Sequence, residues 1–321
     1  MENTTRLLQR QAETLANSNV LIIDADDAAL ADLPARGLVL HADLITVAAD
    51  QYLPAPTLPA DTDLLVLILP KSRERLAMLL TELARQLNGP MPLWLVGPGK
   101  GGIKGATRVL SEHADEVNLL DSARHCKLYS GRLLPAQAAA LQPEISWHYD
   151  DLRIYSLPGV FSHGRLDEGS ALLLDVLRRD TPAGSVLDIG CGAGILSAFM
   201  ARAGCRVSAC DASASAVAAT RATLDGNQLA GQTVQSDLYR SLGDERFDAI
   251  VTNPPFHEGL HQSTAVSARL IYEAPRHLRA GGGLWLVANQ GLPYEKWLRE
   301  SFRHIEVADE NRRFRVWRAS L

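Results

Sequence analysis

Short runs rich in Val, Ile and Leu alternate along the chain with helix-length segments whose apolar residues return every three or four positions. Runs of that length, apolar on both faces, are the strands of a parallel sheet covered by helices on either side. In the second half strands are expected near 185–189, 206–210, 233–236, 247–252, 283–288, 304–308 and 313–319. Asp167-Glu168-Gly169-Ser170 opens an apolar-rich helix running to about Arg179, and Ser213 is placed to cap a helix from Ala214 to about Leu224. Too little sequence separates the last two strands for a crossover helix, so they should form an antiparallel hairpin. The stretch 132–157, with Pro135, Pro143, Trp147-His148-Tyr149 and an Asp150-Asp151 turn signal, reads as a connection and a small hairpin.

The pattern repeats. Asn19-Val20-Leu21-Ile22-Ile23-Asp24 resembles Ser185-Val186-Leu187-Asp188-Ile189-Gly190, and Asp63-Leu64-Leu65-Val66 resembles Asp248-Ala249-Ile250-Val251. Leu93-Trp94-Leu95-Val96 returns as Leu284-Trp285-Leu286-Val287, and Lys127-Leu128-Tyr129 as Arg315-Val316-Trp317. Four matches in one order indicate a duplicated α/β domain. Each copy is expected to be a doubly wound, mostly parallel sheet with an antiparallel C-terminal hairpin. The expected division is 1–132 for a first, shorter copy, 133–157 for the linker and hairpin, and 158–321 for the second copy.

Composition narrows the class. The 321 residues are 46% hydrophobic with a formal net charge of −5, enough to bury substantial cores and against a globally basic nucleic-acid binder. The apolar run Leu64 to Leu69 falls far short of the roughly 20 residues of a bilayer helix, and the N-terminus carries Arg6 and Arg10 without an apolar signal core, so a cytoplasmic protein is expected. Cys126, Cys191, Cys205 and Cys210 have no CxxC spacing, and His41, His113 and His257 lack metal-ligand spacing, so reduced thiols and no metal are expected.

The sharpest local signal is Asp188-Ile189-Gly190-Cys191-Gly192-Ala193-Gly194, a buried strand passing through a glycine-rich turn into a helix. Glycines let backbone approach a ligand at the carboxyl end of a strand, where open α/β sheets bind them. The next strand ends at Asp211, placed to accept from ribose hydroxyls, with Ala212 beside it. A dinucleotide fingerprint needs a third glycine where Ile195 stands, and Asp188 would repel a pyrophosphate. S-Adenosylmethionine, with an ammonium, a sulfonium and no phosphate, suits the loop better; the competing reading is a tight turn without a ligand. Asp188, Gly190, Gly192 and Gly194 resemble the motif of the class I S-adenosylmethionine-dependent methyltransferases. That resemblance implies that the loop, Cys191 included, passes the methionine moiety and that Asp211 holds the ribose. It also places Asp237 near the adenine amine, although a helix-capping Asp fits that position equally.

Asn253-Pro254-Pro255-Phe256 follows the strand Asp248 to Thr252 at the same sheet edge. Two prolines stiffen the chain, Asn253 and the Pro254 carbonyl supply acceptors, and Phe256 offers a stacking face, a set suited to a planar substrate with an exocyclic amine. The signature resembles the amino-methyltransferases of adenine, guanine, cytosine or glutamine nitrogens. Pro158-Gly159-Val160-Phe161-Ser162 with Leu166-Asp167-Glu168-Gly169-Ser170, and the tandem plan itself, resemble the small-subunit ribosomal RNA guanine-N2 methyltransferases of family C. Membership would imply methylation of a guanine of the 1207 type in 16S rRNA of the 30S subunit, with Phe161 and Gly169 bordering the cofactor; a monomer is expected. The nearest alternative is the related 23S rRNA guanine-N2 enzyme. DNA adenine or protein glutamine methylation and a non-catalytic ribosome-assembly RNA-binding protein stand further off.

The first copy has lost this chemistry: Ile22 stands at the Asp188 position, Asp24 at Gly190, and Ile68-Leu69-Pro70-Lys71 at Asn253 to Phe256. Its loops are basic instead. Lys71, Arg73 and Arg75 follow one strand and Lys100, Lys104 and Arg108 the next, which is either a solvated surface or a site for rRNA phosphates. Arg312, Arg313, Arg315 and Arg318 form a second cluster, for substrate contact or as a guard on an edge strand.

Overall fold

The computed structural model describes residues 1–254 and 260–321. The chain divides into two units, Met1–Gln142 and Pro143–Leu321. The segment expected as connection plus hairpin is thus itself divided: residues through Gln142 go with the first unit and the hairpin with the second.

In the first unit α1 (Asn3–Gln9) and α2 (Ala12–Ala16) precede β1 (Asn19–Ile23), β2 (Gly37–Ala42), β3 (Gln51–Tyr52) and β4 (Leu64–Ile68). Then come α3 (Arg73–Arg85), β5 (Met91–Pro98), α4 (Ile103–Ser111), β6 (Ala114–Ala123) and β7 (Cys126–Leu133). Among the described residues the sheet order is β3-β2-β1-β4-β5-β7-β6, parallel except where β7 pairs with β5 and β6. β1 and β4 are buried almost throughout because helices cover both faces.

The second unit opens with the hairpin β8 (Glu144–Tyr149) and β9 (Leu152–Ser156), turning at Asp150 with φ +50°. α5 (Glu168–Arg179), β10 (Ser185–Ile189), α6 (Ile195–Arg202), β11 (Arg206–Asp211), α7 (Ala214–Gly226), β12 (Gln232–Gln235) and β13 (Phe247–Thr252) follow. The unit ends with α8 (Leu260–Glu273), β14 (Leu278–Asn289), α9 (Tyr294–Ser301), β15 (His304–Glu310) and β16 (Phe314–Ser320). Its order, β12-β11-β10-β13-β14-β16-β15, reproduces the first unit's strand for strand, so the sequence repeat is a repeat of topology. Ser213 caps α7 through Ala216 N, and Asp167 caps α5 through Ser170 N. The core gathers Leu187, Ile250, Leu284, Leu286, Tyr294 and Trp317.

One expectation needs correcting. β16 pairs with both β14 and β15, so its arginines do not guard an edge; β15 is the outer strand. The closing hairpin inserts its second strand into the sheet and leaves its first outside.

Candidate active site

β10 and β13 are parallel neighbours in a register that sets Asp188 beside Val251 and Ile189 beside Thr252. Thr252 Oγ1 donates to the Ile189 carbonyl at 2.8 Å, tying the two strand ends together. Gly190 and Asn253 therefore leave the sheet side by side, and the glycine turn and the Asn-Pro segment share one edge.

The glycine turn is held by its neighbours. The amides of Gly190 and Cys191 both donate to the Cys210 carbonyl, at 2.8 and 3.1 Å, bending the chain over the end of β11. Gly194 has φ +82°, and a Cβ there would lie 2.9 Å from Thr220 Cα, so only glycine lets α6 begin this close to α7. Thr220 Oγ1 donates to the Gly192 carbonyl at 3.0 Å and Thr223 Oγ1 to the Ala193 carbonyl at 2.8 Å. These threonines carry no spacing signal, since a Ser or Thr inside a helix ordinarily faces solvent or its own backbone.

Asp188 is fully buried. Its Oδ2 accepts from Ser197 Oγ at 2.5 Å, while Oδ1 is buried with no hydrogen-bond partner among the described residues. Burial first, and then the nearby Asp211 charge, push its pKa up to about 7. Asp211 accepts from Gly192 N at 3.1 Å and Ser213 N at 2.9 Å, so its carboxylate is oriented at the rim of the turn. The Ala212 carbonyl accepts from Gln235 Nε2 at 2.9 Å. Cys191 is buried, and burial raises its thiol pKa well above the ordinary value.

Asn253 lies buried at the end of β13. Its Nδ2 donates to Asp167 Oδ2 at 2.9 Å and Ser170 Oγ at 2.8 Å, both in the opening turn of α5. Its Oδ1 is buried without a hydrogen-bond partner among the described residues. Pro254 is buried next to it; Pro255, Phe256 and His257 lie outside the described residues.

Other expected residues stand differently. Asp237 forms an ion pair with Arg269 of α8. Phe161 is exposed, and its carbonyl faces Gly192, 3.7 Å from where a Cβ would be. Gly169 leaves room rather than offering a group: a Cβ there would meet Asp167 Oδ2 at 3.1 Å and the Phe314 ring at 3.3 Å. Arg313 pairs with Glu168 and Arg315 with Glu310, and both lie over rings, those of Phe314 and Trp317. Their charges are thus largely met within the unit.

On the corresponding edge of the first unit, Lys71, Arg73, Lys100 and Lys104 are exposed, as is Arg108 in the last turn of α4. Arg75 is not. It is buried, donates to Asp24 at 2.9 and 2.6 Å, and lies 3.7 Å from Asp43. Asp24, at the position of Gly190, has φ +60°, and its amide donates to His41 Nδ1 at 3.2 Å. Where the second unit has a buried carboxylate oxygen with no partner among the described residues, the first has an internal guanidinium on its own carboxylates. Arg75 therefore leaves the basic cluster, because α3 turns it inward.

The second unit's features fit S-adenosylmethionine. A buried carboxylate oxygen without a donor among the described residues suits a cation, the turn admits backbone close to a ligand, and Asp211 stands at the next strand end, as a ribose requires. Among the described residues no three His, Cys, Asp or Glu side chains gather as a metal would need, and no helix is long and apolar enough to cross a membrane.

Comparison with known proteins agrees in each half. Residues 151–318 match the methyltransferase small domain family, and residues 5–148 match the methyltransferase small domain N-terminal family. The chain is similar to the ribosomal RNA small subunit methyltransferase C of Alcanivorax borkumensis, 51% identical with all of both chains covered. It is also similar to that of Chromohalobacter salexigens, 42% identical over 89% of this chain and 83% of the relative. Among solved structures it resembles the T. thermophilus 16S rRNA N2 G1207 methyltransferase in complex with AdoMet and guanosine. That likeness has a TM-score of 0.86 and 26% identity, covering 99% of this chain and 92% of the other. With the tandem topology and the glycine and Asn-Pro segments on one sheet edge, this full-length identity shows that the chain belongs to the ribosomal RNA small subunit methyltransferase C family.

Proposed function

We propose that the second unit transfers a methyl group from S-adenosylmethionine to the exocyclic N2 amine of a guanine in 16S rRNA. The target is the nucleotide corresponding to the G1207 of the T. thermophilus relative, and the substrate is the assembled 30S subunit. The observation that carries this reading is Asn253 Oδ1, a buried acceptor beside the glycine turn with no partner among the described residues. A guanine N2 amine is the donor such an acceptor lacks.

When bound, S-adenosylmethionine supplies a methyl carbon activated by its sulfonium. Asp188 would meet the cationic end of the cofactor with the oxygen that has no partner among the described residues, and Asp211 would accept from the ribose hydroxyls. Gly190, Cys191, Gly192, Gly194 and Ala212 shape the backbone around the cofactor, with Phe161 and Gly169 at its border. Asp237 reaches the adenine amine by sharing its carboxylate with Arg269. Asn253 Oδ1 and the Pro254 carbonyl accept the two amine hydrogens, turning the nitrogen lone pair toward the reacting carbon. Positioning performs most of the work, and no strong base is needed. The stiffening expected of Pro255 and the stacking expected of Phe256 fall on residues outside the described ones. A base inside a helix must be extruded at a cost of a few kcal/mol, which RNA contacts offset.

Lys71, Arg73, Lys100 and Lys104 supply such contacts from the first unit, on rRNA phosphates; Arg313 and Arg315 do so only by exchanging their acidic partners. The protein works as a monomer in the cytoplasm. Tritiated S-adenosylmethionine offered with undermethylated 30S subunits, 50S subunits, naked rRNA and DNA tests the reading: label should enter 30S rRNA. Label confined to 50S subunits or DNA would overturn it.

A further inference from the structure

We propose that Asp167 and Ser170 fix the direction of the Asn253 carboxamide, so that its oxygen and not its NH2 faces the substrate; this deepens the functional reading above and rests on it. Both Nδ2 hydrogens are taken inward, one by Asp167 Oδ2 at 2.9 Å and one by Ser170 Oγ at 2.8 Å. Asp167 is the decisive partner, because a carboxylate accepts and cannot donate. A flipped amide would set Asn253 Oδ1 against Asp167 Oδ2 and leave a buried NH2 facing the substrate unpaired, both costly away from water. Ser170 can rotate its hydroxyl to either role, so it sets the tilt of the amide and leaves the choice of face to Asp167.

The device is compact. Asp167 Oδ2 also accepts from Ser170 N at 2.9 Å, so the bond that caps α5 holds the carboxylate in place for Asn253. Gly169 completes it, since a Cβ at that position would sit 3.1 Å from Asp167 Oδ2. The carboxylate does a second thing. A charge-assisted bond at Nδ2 draws electron density toward Oδ1, which strengthens acceptance from an amine that becomes positive as it is methylated. That gain appears in the transition state more than in the ground state, so it belongs to kcat. Asp167 and Ser170 are positioning residues acting through Asn253, and they select for substrates that present a donor.

The test is steady-state kinetics on undermethylated 30S subunits at saturating cofactor, with cofactor Kd measured separately by equilibrium binding. Asp167→Asn keeps a capping side chain but loses the charge, Ser170→Ala removes one acceptor, and Ser170→Thr restores it. The first two should each lower kcat about tenfold or more, with cofactor Kd within about twofold of the parent chain, and Ser170→Thr should recover most of the loss. The ratio of inhibition constants for guanosine and inosine, which differ only in the N2 amine, should fall toward one in Asp167→Asn. Wild-type kcat in both variants, or cofactor affinity lost in step with kcat, would overturn the lock. A parent chain that leaves guanine N2 of 16S rRNA unmethylated would overturn the functional reading itself.

Discussion

Asp188 and Asn253 each combine a polar group, deep burial and one oxygen without a partner among the described residues, a costly arrangement that a ligand relieves. For Asp188 the cost is expressed in its titration. Its pKa is raised to about 7 in the folded protein against an ordinary 3.8, so the folded state holds the extra proton between those values. Stability should therefore fall as pH rises from about 4 to about 7 and then level off. A cationic cofactor favours the ionised form, so its affinity should tighten through the same window, by up to about tenfold per pH unit. Calorimetric Kd values from pH 5.5 to 7.5 check this, and Asp188→Asn should flatten the profile. Roles separate further in two variants: Asn253→Ala should keep cofactor binding and lose turnover, whereas Asp211→Ala should mainly weaken binding. The reverse pattern in binding and rate assays would refute both assignments. These residues were legible because their chemistry restricts the residue type at a strand end. Ser197, Thr220 and Thr223 were not, because single hydroxyls on helices acquire meaning only when a neighbouring element meets them.

Among the elements, the turn from β10 to α6 is the one whose sequence is least free. Gly194→Ala would need an L side chain at φ +82° and a Cβ 2.9 Å from Thr220 Cα. It should cost about 1–3 kcal/mol, and thermal unfolding should show a fall in Tm of several degrees, with cofactor affinity reduced alongside. Ser213→Ala, which removes only the α7 cap, should cost about 1 kcal/mol. The succession of strands along the chain was readable and their limits less so. β14 begins at Leu278, before the expected 283, because pairing with β13 continues across an irregularity between Phe247 and Ala249 despite a glycine run that reads as a loop. The insertion of β16 inside the sheet was not readable either, since either strand of a hairpin can pair with β14 when both are apolar enough.

At the scale of the whole molecule, two units with the same seven-stranded sheet differ at the same place, the carboxyl ends of β1 and β4 in the first and of β10 and β13 in the second. The duplication was visible in ordered sequence matches. What the first unit put in place of a ligand was not, because Arg75 follows Lys71 and Arg73 and reads as one more surface cation. Arg75→Met should destabilise the first unit by about 3–5 kcal/mol, leaving Asp24 and Asp43 without their cation. Adding Asp24→Asn should restore part of this in denaturant unfolding, since an amide costs less to bury and Asn tolerates positive φ. Charge reversal to Glu at Lys71, Arg73, Lys100 and Lys104 should weaken rRNA binding and flatten its salt dependence; unchanged affinity at moderate salt would remove RNA from that edge. The central claim, that the second unit methylates guanine N2 through Asn253, is tested most directly by nucleoside analysis and position mapping of 16S rRNA. Undermethylated 30S subunits would be treated with the parent chain or with Asn253→Ala. The account predicts N2-methylguanine at one 16S position with the parent chain and none with the variant; N6-methyladenine, or equal product from both proteins, would contradict it.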